Sequence, residues 1–122
     1  MKAFFIDVTK KEVTEIDIEN KLSAFYAKIG CRLIDTVPLG ENQLLILDDE
    51  GRLKQERVGC FRFEGQGKNV IPFFGNALMV NDGEEDWTDI DYPIEVVREN
   101  ITFFDMRPSD FPPPRFRVIT FE

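Results

Sequence analysis

The hydrophobic period of this chain changes early, and that change limits the folds open to it. Leu22, Phe25, Tyr26 and Ile29 fall at i, i+3, i+4 and i+7, one stripe of an α-helix. Asn20 stands where an N-cap belongs, and Gly30 supplies the left-handed residue that ends many helices. The spacing predicts a helix over 20–30. A single amphipathic helix must lay its stripe on another layer, and the segments around it alternate with a period of two. That layer is a sheet.

The strands can be read in turn. Phe4, Ile6 and Val8 alternate with Phe5 and Asp7, and residues 13–18 alternate again after the polar break at 9–12, so an antiparallel pair is expected. Residues 31–37 have strand character. The run 43–48 is apolar without alternation through Leu44, Leu45, Ile46 and Leu47, the mark of a strand covered on both faces. Asp49, Glu50 and Gly51 then suit a three-residue turn with a left-handed glycine, which predicts a hairpin over 48–54. Further strands are expected at 60–63, 70–74 and 77–80. The Gly-x-Gly-Lys of residues 65–68 has the wrong spacing for a phosphate loop and is read as a hairpin loop. Residues 94–101 read both ways: Ile94, Val97 and Ile101 fit a helix face, while their β-branching favours a strand. Residues 102–104 look extended, the triple proline 112–114 is polyproline-like, and 115–121 suits an edge strand or arm. The expected fold is α+β: an antiparallel or mixed sheet of about five to seven strands with one helix on one face. At 122 residues the chain fits one domain, 1–122, with 91–122 as a C-terminal extension or arm.

Phenylalanine is unusually frequent, and three adjacent pairs stand at 4–5, 73–74 and 103–104. Neighbouring residues of a strand point to opposite faces, so each pair sets one ring on either side of its sheet. One ring joins the helix-covered core. The other needs a cover: the chain itself, a second copy in a homodimer, a partner, or a planar ligand.

Composition removes most catalytic options. There is no histidine, which excludes imidazole acid–base chemistry, His-ligated zinc and the hydroxyl or thiol nucleophiles that depend on His. Ser23 and Ser109 are the only serines, and neither sits in a nucleophile elbow. Cys31 and Cys60 form no Cys-x-x-Cys motif and are read as packing residues. No catalytic residue, cofactor or metal is expected. Asp86, Asp89 and Asp91 suit a hard cation by type but lack a binding-loop spacing. The first residues reach Asp7 before an apolar run of signal length develops, and no stretch approaches a membrane span, so a cytoplasmic chain with reduced thiols is expected.

The formal net charge of −8 is concentrated in one stretch. Between residues 82 and 110 stand Asp82, Glu84, Glu85, Asp86, Asp89, Asp91, Glu95, Glu99, Asp105 and Asp110, against Arg98 and Arg107 alone. The rest of the chain is nearly balanced. Such a field repels phosphate, so direct nucleic-acid binding is disfavoured. The plainest role of the stretch is a solvated, solubilising loop. The sharper one is a surface for a basic partner protein, with Glu84, Glu85, Asp86, Trp87, Asp89 and Asp91 as the contact residues. A small-molecule or nucleotide binder is the alternative, with aromatic stacking on Phe73, Phe74 and Trp87 and a cationic anchor at Arg62 or Lys68. A carboxylate–metal enzyme ranks third.

Taken in order, these segments resemble a small family of uncharacterised domains from bacteria, phages and plasmids. The resemblance is carried by residues 16–18 leading into the helix, by the 44–54 strand and turn, and by Phe74-Gly75-Asn76-Ala77-Leu78-Met79-Val80 followed by the acidic turn and Asp86-Trp87-Thr88. It covers roughly residues 1–90. It implies an α+β fold and a mobile-element or bacterial setting, and it brings no activity or catalytic residue.

Overall fold

The computed structural model describes residues 1–40, 42–50, 58–64 and 72–106. The opening alternation becomes a hairpin: β1 (Lys2–Asp7) and β2 (Glu12–Asp17) pair antiparallel along their whole lengths. Asp7 holds the connecting turn, its Oδ1 accepting from the Thr9 and Lys10 N–H groups at 3.0 Å. Helix α1 spans Leu22–Ile29 and ends at Gly30, whose φ of 81° is left-handed and whose N–H bonds the Tyr26 carbonyl. Asn20 is not its cap. Lys21 takes the N-cap position without a side-chain cap bond, and Asn20 Nδ2 donates instead to the 86–87 segment.

The chain continues through β3 (Ile34–Pro38), β4 (Gln43–Asp48), β5 (Val58–Phe63), β6 (Phe73–Phe74), β7 (Ala77–Asp82) and β8 (Trp87–Thr88), then helix α2 (Ile94–Asn100) and β9 (Ile101–Met106). The strands form two antiparallel sheets rather than one. The larger runs β2-β1-β7-β4-β3, with β8 paired to the end of β7, and the smaller runs β6-β5-β9. A second helix is also present beyond the one expected. Residues 94–100 follow the helical spacing rather than their β-branched content, with Val97 turned inward, and extended backbone starts at Ile101.

Alternation along the central strands divides the core. Phe5, Leu44, Ile46, Leu78 and Val80 face α1, where Phe25 and Ile29 meet them. Phe4, Ile6, Leu45, Ala77 and Met79 face the other way, onto Phe61, Ile90 and Val97. The large sheet is therefore sandwiched between α1 and a layer made of the small sheet and α2. This explains why β4 reads as a continuous apolar run although its neighbours are antiparallel. It also gives both rings of the Phe4–Phe5 pair a cover within the chain, at 2% and 8% exposure.

The crossing between sheets explains the Phe74-Gly75-Asn76-Ala77 segment. Gly75 has φ 90°, a left-handed value that favours glycine, and its N–H bonds the Gly59 carbonyl at 3.0 Å. Asn76 Oδ1 accepts the Val8 N–H at 2.9 Å, so the residue that starts the return to the large sheet also satisfies the end of β1. Gly59 lets β5 approach that point: an added Cβ would lie 2.9 Å from Val8 Cβ and Cγ2.

Over 44–47 both edges of β4 are taken, by β3 and β7, and the second arm of the hairpin expected over 48–54 lies outside the described residues. So do the 65–69 loop, the triple proline and the 115–121 segment. Residues 94–106 are no loose arm, since β9 pairs with β5 from Ile101–Phe63 to Met106–Val58. No helix among the described residues is long and apolar enough to cross a membrane.

Candidate functional site

The acidic stretch is built on a tight hairpin. β7 and β8 pair through Asn81–Thr88 and Asp82–Trp87, and the Gly83 N–H bonds the Asp86 carbonyl at 2.9 Å. Glu84 and Glu85 stand at the tip, both exposed. Gly83 is required by closeness rather than by φ: a Cβ there would stand 2.5 Å from the Asp86 carbonyl oxygen. Trp87 anchors the far side, its ring 5.4 Å from that of Phe25 in the helix-covered core. Ile90, 3% exposed, pins the following segment on the opposite face.

The aspartates of this stretch are fastened one by one. Asp86 Oδ1 accepts from Asn20 Nδ2 at 3.0 Å and from the Trp87 N–H at 2.8 Å, and Asn20 also donates to the Trp87 carbonyl at 2.9 Å. Asp89 Oδ1 accepts the Lys2 backbone N–H at 2.9 Å, and the Ile90 N–H returns to the Lys2 carbonyl. Asp91 Oδ1 accepts from Asn81 Nδ2 at 2.8 Å, while Asn81 Oδ1 is buried without a partner among the described residues. Every one of these donors is neutral. The hydrogen bonds fix the carboxylates without cancelling their charge. The ion pairs among the described residues, Lys21–Glu19 and Arg32–Glu50, lie elsewhere, and Glu84 and Glu85 have no hydrogen-bond or ion-pair partner there.

Asp86, Asp89 and Asp91 thus face three different donors, and among the described residues no three acidic or Cys side chains gather as a metal site would require. The aromatics of the stacking alternative are also separated. Phe73 lies against Phe61 at 5.4 Å on the face opposite to Trp87, and Phe74 is 2% exposed. Arg62 is exposed, with its guanidinium carbon 6.0 Å from the centre of the Phe104 ring. Lys68 lies outside the described residues.

A second feature was not visible in sequence. A groove of about 300 Å³ opens on the face away from α1, floored by Met79 and Val97 and walled by Phe63, Glu64, Gln43 and Tyr92. These come from five separate segments, so no local motif announces it. Among the described residues, Tyr92 is one of three large apolar side chains left exposed, with Leu22 and Leu33. Glu64 Oε1 accepts the Thr102 hydroxyl at 2.9 Å, which holds its carboxylate at the mouth.

A family model described as a domain of unknown function, DUF3846, matches residues 1–102. The chain belongs to this family. The match runs beyond the 1–90 span of the resemblance and takes in α2 and the start of β9, as their packing into the body requires. Within the DUF3846 span, the Phe74-Gly75-Asn76 segment is a joint between sheets and the Asp86-Trp87 segment a fastening of the acidic hairpin. No curated protein and no solved structure matches the chain.

Proposed function

We propose that this DUF3846 domain is a non-catalytic binding protein of the cytoplasm, in a bacterial or mobile-element setting, whose acidic hairpin engages a basic partner protein. The observation that supports the reading is the neutral fastening of the 82–91 carboxylates. A solvated loop needs no such ties. Here Asn20, Asn81 and the Lys2 backbone hold Asp86, Asp89 and Asp91 in place, and the tip glutamates are left unpaired above a rigid sheet end. Fixed charge of one sign steers an oppositely charged partner and sets its register, with little side-chain ordering left to the moment of contact. In this reading Glu84 and Glu85 make direct contacts, Asp86, Asp89 and Asp91 supply field and rigidity, and Trp87 anchors the hairpin.

The test is affinity capture from host lysate with wild type and with the E84Q/E85Q double variant, which spares all the fastening bonds. Wild type is expected to retain basic proteins at low salt and release them near 1 M, where the screening length falls to about 3 Å. The double variant is expected to retain far less. Recovery of the same proteins in the same amounts by both forms would sink the reading.

A further inference from the structure

We infer that the groove beside the hairpin receives an arginine side chain of that basic partner; this rests on the binding reading above and adds a second, specific contact to it. The groove's floor, Met79 and Val97, is apolar and close to fully buried, at 3% and 4% exposure, which suits the aliphatic stem of a long side chain. Phe63 and Tyr92 offer ring surfaces on its walls, and a planar guanidinium stacks on such faces better than an ammonium does. Its charged lining group is Glu64, and no Lys or Arg lines it among the described residues. The Thr102 hydroxyl holds one oxygen of that carboxylate and leaves the other open. The Gln43 side-chain amide and the Tyr92 hydroxyl have no hydrogen-bond partner among the described residues. Together they offer acceptors to the several N–H groups of a guanidinium. At about 300 Å³ the groove admits a long side chain, and a lining that carries a carboxylate and no base favours a cationic group over a nucleotide's phosphates.

Its position ties it to the hairpin. Gln43 pairs with Asn81, and Asn81 pairs with Thr88 across the same strand. The groove wall at Gln43 and the base of the hairpin at Thr88 therefore share one end of the large sheet, two strand spacings or about 10 Å apart. A partner resting on Glu84 and Glu85 has its neighbouring residues over the groove.

The experiment is a ¹⁵N–¹H NMR titration of the full chain with N-acetyl-arginine amide, N-acetyl-norleucine amide and a hexa-arginine peptide. The arginine amide is expected to shift the Glu64, Tyr92, Val96 and Asn100 amides, and the norleucine amide to shift them several-fold less. The peptide is expected to shift groove and hairpin amides together. E64Q should weaken the groove response about three- to tenfold, the range for losing one charged partner at a half-open site, and leave the hairpin response intact. Y92L should weaken it too. If the peptide moves only hairpin amides, the groove assignment is overturned and the hairpin reading stands. If it moves only groove amides, the assignment stands and the hairpin reading falls. Silence in both regions overturns both. A groove response equal for norleucine, or unchanged in E64Q, overturns the arginine assignment.

Discussion

Asn20 gives the sharpest separation between local and long-range structure. Its place just before α1 suggests an N-cap, yet its amide spans 66 and 67 residues of sequence to reach Asp86 Oδ1 and the Trp87 carbonyl at 3.0 and 2.9 Å. Asn20→Ala removes both bonds. Each such bond contributes about 0.5–1.5 kcal/mol net, and these lie in exposed surroundings where water replaces the lost donor. Asp86 also keeps its bond to the Trp87 N–H. A total near 1 kcal/mol follows, at the low end of the summed range. Native-state hydrogen exchange reads where the loss falls. The Gly83 amide, which closes the hairpin onto the Asp86 carbonyl, should lose about fivefold protection, the equivalent of ~1 kcal/mol. Amides of the first turn of α1 should change little. Loss confined to that turn, with Gly83 unaffected, would show that Asn20 caps the helix and would refute the fastening of the hairpin.

Gly83→Ala should cost about 1–3 kcal/mol, since the new Cβ meets backbone that has to move, and circular-dichroism melts of the variant read this directly. Gly59→Ala should cost a similar ~1–3 kcal/mol by crowding Val8, and denaturant titration should show it as a lower midpoint with an unchanged slope. Phe61, fully buried against Phe63, Phe73 and Phe103, should lose about 3–5 kcal/mol on Phe61→Ala; a loss under 1 kcal/mol would mean the small sheet is not the cover of the large one. Arg98 donates twice from α2 to the Val13 carbonyl on the edge strand β2, at 3.1 and 2.8 Å. Arg98→Ala should cost about 1–2 kcal/mol and speed exchange in α2.

Much of the large sheet was legible because its signals are local. Period-two alternation marked β1 and β2, the uninterrupted apolar run marked β4 as doubly covered, and the i, i+3, i+4, i+7 stripe with Gly30 marked α1. The three Phe pairs correctly posed the question of a second cover. What supplied that cover was not legible: β5, β6 and β9 are short or separated strands whose pairing is set by long-range contact, and residues 94–101 carry helical spacing on β-branched side chains. The candidate site divides in the same way. The charge run and Trp87 stand out in the sequence, but Asn20, Asn81 and the Lys2 backbone look like ordinary polar surface until the fold brings them to the hairpin. The groove is drawn from five segments, and spacing carries no trace of it.

The most direct test of the acidic hairpin compares two variants that change net charge equally: E84Q/E85Q at the tip, and E12Q/E15Q at two exposed positions of β2. Each is titrated calorimetrically, at one salt concentration, against a purified basic protein retained in the capture experiment. Position-specific recognition predicts about fivefold or greater weakening for the tip variant and less than about twofold for the β2 variant. Equal weakening by the two would mean that the partner senses only net charge, and the hairpin would be no binding site.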